Sequence, residues 1–184
     1  MKIEYKSQVQ KMVLIGILAA VIAVLSPLSI PLPGGVPLTL QTFAVALCGF
    51  ILGARLGPIS VAVYIVLGAV GLPIFAGFSG GVGMLASPSG GFLWGFLLLA
   101  AACGLGVYLP KRFLAVLTGC AGLLICHLVG VLQFMVVTST PFLQSFLLAS
   151  MPFLIKDLLS VAGAYLIGSA VLVGLKKAKL VTVG

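Results

Sequence analysis

The chain has 184 residues, of which 62% are hydrophobic and 7% charged, and it carries a formal net charge of +8. So apolar a composition leaves too little polar surface to cover a water-facing globule, which excludes an ordinary soluble domain. The basic residues stand in short groups between long uncharged runs, not in a stripe interleaved with aromatics, which argues against a nucleic-acid surface.

Those groups are Lys2, Lys6 and Lys11, then Arg55, then Lys111 and Arg112, then Lys176, Lys177 and Lys179. They recur after every second apolar segment, and the positive-inside rule gathers all four in the cytoplasm, so an even number of spans is expected, with both termini cytoplasmic. The opening lysines followed by residues 12–25 have the outline of a secretory leader, but no A-x-A-like site follows, and we read the segment as a retained first helix. It ends at Ser26 and Pro27. Residues 28–37 form an outer loop, because Pro27, Pro31, Pro33 and Pro37 forbid a continuous helix.

A second helix over 39–52 returns to the inner turn around Arg55, and a third over 59–72 leads out again. Residues 71–91 read GLPIFAGFSGGVGMLASPSGG, too rich in glycine and proline for a lipid-exposed helix and too apolar for a free aqueous loop. Non-helical backbone at membrane depth persists only when buried in protein or lining a cavity, so this stretch is expected to fold into the outer mouth. A fourth helix follows over 91–109, a fifth over 113–137, a short interfacial helix over 144–150 and a sixth over 153–174. The expected fold is an all-α integral membrane protein, a single domain over 1–184, built as a compact bundle of six transmembrane helices with re-entrant outer loops. The four cysteines lie within apolar runs and read as small buried hydrophobes.

Lys156 and Asp157 are the charged residues placed away from the cytoplasmic face. A charge within a membrane helix costs a few kcal/mol, about 2.5–3.5 on insertion scales, so it should face a cavity or a partner. Asp157 reads as a functional residue against the alternative of a snorkelling interfacial pair, and Lys156 as the snorkelling member. His127, mid-helix in the fifth span, reads as a neutral imidazole bonded to a neighbour, because Asp157 is expected nearer the outer end and no other ionisable companion is evident at its depth. Gln41 either binds a polar heterocycle or caps its own helix. Gly80, Gly81 and Gly83 lack the strand and lysine of a nucleotide loop, so the chain is not expected to use ATP, although their amides suit a small ligand. On the first helix Gly16 with Ala20, and Ala19 with Ala23, set small residues on one face, either for internal packing or for a separate membrane subunit.

Several segments, in order, carry a family resemblance: Val36-Pro-Leu-Thr-Leu-Gln-Thr-Phe43, Leu52-Gly-Ala-Arg-Leu-Gly57, Gly71-Leu-Pro-Ile-Phe-Ala-Gly77, Gly80-Gly-Val-Gly83, Ser87-Pro-Ser-Gly-Gly-Phe-Leu-Trp-Gly95, His127-Leu-Val-Gly130 and Pro152-Phe-Leu-Ile-Lys-Asp157. The chain resembles the BioY family, the biotin-specific substrate-binding membrane components (S components) of energy-coupling-factor transporters. The resemblance implies capture of biotin from outside by a multi-pass protein of the bacterial inner membrane. It also implies a transmembrane coupling subunit and two ATPase subunits as partners beside the membrane lipids, with biotin as transported substrate and no cofactor, metal or catalytic residue. Asp157 would lie in the ligand site, the loop 77–91 with Ser89, Gly90 and Gly91 would pack over the ligand, and the small-residue face of the first helix, Ala19 and Ala23, would meet the coupling subunit. Phe75, Phe78, Phe92 and Trp94 would supply apolar walls, and loop amides or Lys156 would take the biotin carboxylate. The chain departs from the family's pattern where Lys156 precedes Asp157 and Ser160 follows it, and at Gln133 in place of a tryptophan. Rival readings are an S component for another vitamin, an intramembrane hydrolase using Ser87 or Ser89 with His127, and a purely structural subunit.

Overall fold

The computed structural model describes residues 3–5, 7–31, 36–178 and 180–183. Lys2, Lys6 and Lys179 fall outside the described residues, as does Pro33 of the outer loop. Six α-helices account for most of the remainder: α1 (Gln8–Leu25), α2 (Gln41–Ala69), α3 (Gly90–Gly106), α4 (Arg112–Thr138), α5 (Phe142–Ala149) and α6 (Met151–Lys177). Among the described residues, α1, α2, α4 and α6 are each long and apolar enough to cross a membrane. With 17 residues, α3 is about 25 Å long at 1.5 Å per residue and equally apolar.

The long α2 is a helical hairpin, not a rod. Its backbone breaks at Gly53, with φ 81° and ψ 177°, a conformation open to a residue without Cβ. In a straight helix Gln41 and Tyr64 would stand about 34 Å apart, yet Gln41 Nε2 donates to the Tyr64 hydroxyl at 2.8 Å. The arms 41–52 and 54–69 therefore run back along one another, and a Cβ on Gly57 would meet Gly49 Cα at 3.0 Å. The second arm starts five residues before the expected third helix, so that Pro58 stands as its fifth residue, inside the helix. The second and third expected helices correspond to these arms. The others match their elements to within a few residues, α1 starting earlier at Gln8 and α6 at Met151.

Small residues let α3 press against both neighbours. A Cβ on Gly104 would lie 2.3 Å from Ala54 N, one on Gly49 would lie 2.4 Å from Ala100 O, and one on Gly91 would lie 2.6 Å from Val129 O. Backbone approach of this kind replaces the hydrophobic drive that lipid cannot provide between helices. Around it, α1 lies on the α2 hairpin, fastened by Ser60 Oγ donating to Ile15 O at 2.8 Å. The two ends of the bundle differ. At the basic end β1 (Ile3–Tyr5) pairs antiparallel with β4 (Val181–Val183), and Tyr5 donates its hydroxyl to Leu52 O at 3.1 Å. Burial, with Tyr108 nearby, pushes the Tyr5 phenol up from its ordinary range, so it remains a donor.

At the opposite end β2 (Ser29–Ile30) and β3 (Leu38–Thr39) pair antiparallel in the proline loop. The glycine-rich segment forms two 3-10 turns, Ala76–Phe78 and Val82–Ala86. Its backbone is tied down by Gly81 N–H to Gly68 O at 2.7 Å and by the Gln133 amide, which donates to Leu85 O at 2.8 Å and Ser87 O at 2.9 Å. Irregular backbone so close to hydrocarbon needs such partners. Replacing Gly104 with valine puts side-chain atoms into the α2 turn, and we expect a loss of about 1–3 kcal/mol, read as a lower melting temperature in detergent. Gly174→Val, where nothing lies within 4 Å of the added Cβ, serves as the control and should shift it little.

Candidate functional site

Polar side chains converge at the end of the bundle opposite the basic groups. Asp157, six residues into α6 and 4% exposed, is the centre. Its Oδ2 lies 3.2 Å from His127 Nε2 on α4, and its Oδ1 is in ion-pair contact with the Lys156 ammonium. That ammonium also donates to Thr39 O at 2.8 Å, bridging α6 to the strand that precedes α2. Asp157 Oδ1 is wholly buried, and the Lys156 ammonium is the partner it has, in ion-pair contact without hydrogen-bond geometry.

His127 is fixed from both sides, because its Nδ1 stands 2.8 Å from Ser150 Oγ. With the carboxylate ionised, a neutral imidazole donates Nε2–H to Asp157 and accepts the Ser150 proton at Nδ1, which satisfies every partner. The edge of the Phe92 ring packs at 87° to the imidazole, with centroids 5.6 Å apart. Serine, histidine and aspartate thus follow one another in a chain reminiscent of a hydrolytic triad, but Ser150 is fully buried and stands apart from the cavity at Asp157, bordering with His127 a separate, largely apolar pocket of about 220 Å³. It orients the imidazole instead.

The expectation that Asp157 lies nearer the outer end than His127, leaving the histidine without an ionisable companion, is corrected by this contact. The reason is the path of the chain after α4. Ser139 turns in the left-handed region at φ 54°, Thr138, Thr140 and Ser145 link their hydroxyls at 2.7 and 2.6 Å, and α5 folds back so that α6 begins at the buried Ser150. The first turns of α6 are therefore sunk into the bundle, at the depth of the middle of α4.

Beside the carboxylate lies a cavity of about 60 Å³. Asp157, Lys156, Gln41, Phe75 and Ser89 line it, as do His127 and Phe92. Gln41 donates its amide N–H to Tyr64 and accepts from Thr39 Oγ1 at 3.2 Å, so it joins the hairpin arms as well as facing the cavity. Phe75 is 1% exposed and set edge-on to Tyr64. Other expected site residues stand elsewhere. Trp94 is 44% exposed and Phe78 is exposed too, and neither lines the cavity. Gly80, Gly81 and Gly83 shape the covering loop without bordering the cavity: a Cβ on Gly80 would lie 2.4 Å from Leu72 O, and Gly81 needs its φ of 98°. Gly90 and Gly91 pack α3 against the loop and against α4.

Sequence reasoning did not single out Thr39, Thr42, Met84, Phe153 or Ser150. Thr39 and Thr42 flank Gln41 within a quoted motif and were open to discovery there. Ser150 was not, since its role depends on the fold-back of α5. On α1, Ala19 is buried and Ala23 packs against the same core, whereas Gly16 and Ala20 face outward. Among the described residues no three histidine, cysteine, aspartate or glutamate side chains come together as a metal cluster.

Comparison with known proteins places this geometry in context. A crystal structure at 2.1 Å of the S-component for biotin from an ECF-type ABC transporter superposes with a TM-score of 0.70, covering 94% of this chain and 92% of that one; at 23% identity the likeness is one of fold. The probable biotin transporter BioY of Pyrococcus horikoshii is 36% identical over 154 residues, 84% of this chain and 91% of that protein. The biotin transporter BioY of Thermotoga maritima is 47% identical over 117 residues, 63% of this chain and 69% of that protein. The model of the BioY family matches residues 1–177. This chain is an integral membrane protein and belongs to the BioY family.

Proposed function

We propose that this protein takes up biotin, binding it in the cavity beside Asp157 as the substrate-capturing component of an energy-coupling-factor transporter. The observation that carries the reading is Asp157, a carboxylate 4% exposed that lines the cavity with the Lys156 ammonium paired to its Oδ1. Biotin's ureido ring offers two N–H donors, and a charge-assisted bond from one of them to a carboxylate is roughly twice as strong as a neutral one. Phe75, Phe92 and Phe153 give the apolar walls that suit the thiophane ring, and the Lys156 ammonium is the cation within reach of the carboxylate tail. Ser89 and the Gln41 amide complete the polar lining.

In this reading the membrane is crossed six times, by α1, the two arms of α2, α3, α4 and α6, with α5 lying at the outer boundary. The basic end, carrying both termini, faces the cytoplasm, as its cations require. The cavity then opens outward beneath the loop 71–90. Pockets that enclose small molecules are usually about 300–1,000 Å³, against 60 Å³ here. Entry of biotin therefore parts the covering segments, and the bonds from Gln133 to the loop are those that must yield or move with it. The outward face of α1, with Gly16 and Ala20 among exposed Met12, Val13 and Ile17, is the surface offered to a transmembrane coupling subunit, which would bring two ATPase subunits. Ala19 and Ala23 support that face from within.

Stabilisation by ligand tests the assignment directly: biotin should raise the melting temperature of the purified protein, other vitamins should not, and the absence of any biotin shift would refute it. Asp157→Asn should weaken biotin binding at least about tenfold, the scale of one charged hydrogen bond, with expression retained. Unchanged affinity would remove Asp157 from the site. Trp94→Ala should leave affinity within about twofold, since its ring lies outside the cavity. Uptake of labelled biotin by cells making this chain with and without the coupling and ATPase subunits should separate capture from transport, with Ala20→Leu lowering uptake by the full assembly and leaving affinity intact.

A further inference from the structure

The larger opening in the molecule lies at the other end, away from the proposed ligand site. A groove of about 600 Å³ runs along the basic half of α6, between it and the start of α4. Its floor is the Phe50 ring, set edge-on to Tyr165 with centroids 5.3 Å apart. Along one wall the small side chains of Ser169 and Ala170 leave space between the bulkier Leu166 and Val173. Leu166 and Val173 are 69% and 55% exposed, so this wall continues onto the surface that acyl chains contact.

The mouth of the groove is cationic. Arg112 opens α4 and Lys176 sits in the last turn of α6, and both border the same cavity. Among the described residues no carboxylate pairs with Arg112. Helix geometry sharpens the point. A lysine or arginine at a helix N-terminus meets the positive end of the macrodipole, an unfavourable placement that an anion would relieve. The start of α4 has two such residues, Lys111 and Arg112, no acidic residue in its first turn and no side-chain cap. With the Leu114 N–H already donated to Lys111 O at 3.0 Å, it is the Arg112 guanidinium that offers donors to one anion at the end of an apolar trough.

We propose that this groove binds an anionic diacyl phospholipid, an acyl chain lying over Phe50 and Ala170 and the headgroup phosphate held by Arg112 and Lys176. The occupant is a lipid and not free phosphate, because the walls beyond the mouth are apolar and open sideways toward hydrocarbon. Basic pockets between membrane helices on the cytoplasmic side commonly recognise anionic headgroups in this manner.

The test uses the full chain in a neutral detergent, titrated with phosphatidylglycerol or phosphatidylcholine of identical acyl chains, with bound lipid counted by native mass spectrometry. Phosphatidylglycerol should bind about tenfold more tightly. Arg112→Gln with Lys176→Gln should bring it down to the phosphatidylcholine level, with the biotin response unchanged as evidence of folding. Lys111→Gln with Lys177→Gln removes the same charge from positions that do not border the groove and should preserve the preference. Ala170→Trp, which fills the trough and spares the charges, should lower retention of both lipids severalfold, and it carries the test if the first double variant does not fold. Equal binding of the two lipids, or equal loss in both double variants, would overturn the proposal in favour of none or diffuse surface attraction. Full displacement by glycerol phosphate, which lacks acyl chains, would overturn it in favour of a phosphate site.

Discussion

Hydrocarbon offers no partner to a charge, so a carboxylate inside a membrane bundle must find its donors and counter-charge among the helices. Asp157 does so through His127 and Lys156, and these contacts order the chain around them. Through His127 the carboxylate reaches Ser150 and sets the depth at which α6 begins. Through Lys156 it holds Thr39, and Thr39 in turn holds Gln41, whose amide spans the α2 hairpin to Tyr64. Four separate segments are registered against one another by a single polar cluster. A buried network of this kind is costly when partly satisfied and rigidifying when complete. Here the carboxylate borders the cavity with His127 at one oxygen and the Lys156 ammonium at the other.

Much of this was legible in the residues, and what was not has a common cause. The uncharged runs, the placement of lysine and arginine and the proline and glycine clusters located the helices to within a few residues, because each reports a local cost: burying charge, losing an amide donor or ordering a glycine. Asp157 stood out for the same reason. The meeting of His127 with Asp157 did not, because it depends on how far α5 sinks α6, a tertiary property encoded in the hydroxyls of Thr138, Thr140 and Ser145 that no periodicity shows. Trp94 illustrates the converse. It sits beside glycines that pack α3 inward, and the same helical turn that buries Gly91 and Gly95 turns its ring out to the surface. The small residues of α1 divide likewise, Ala19 inward and Gly16 outward, a choice that spacing alone leaves open.

The two ends of the bundle use opposite strategies. At the cavity end, irregular chain is folded over a small space and every strategic amide is tied down. At the basic end a trough lies between α6 and the start of α4, floored by Phe50. The glycines of α3 hold it tightly to α2 and α4 along its length, while α4 meets α6 at Gly119 with Val161 and again at His127 with Asp157.

The pairing of β1 with β4 joins the two extremities of the described chain into a ring. Since residues 181–183 are the last of these to leave the ribosome, the seam cannot close until synthesis of that segment is complete. Until then α1 is held by its seat on the hairpin and by the Tyr5 hydroxyl on Leu52 O. The same Tyr5 hydrogen bond fastens this seam to the α2 hairpin.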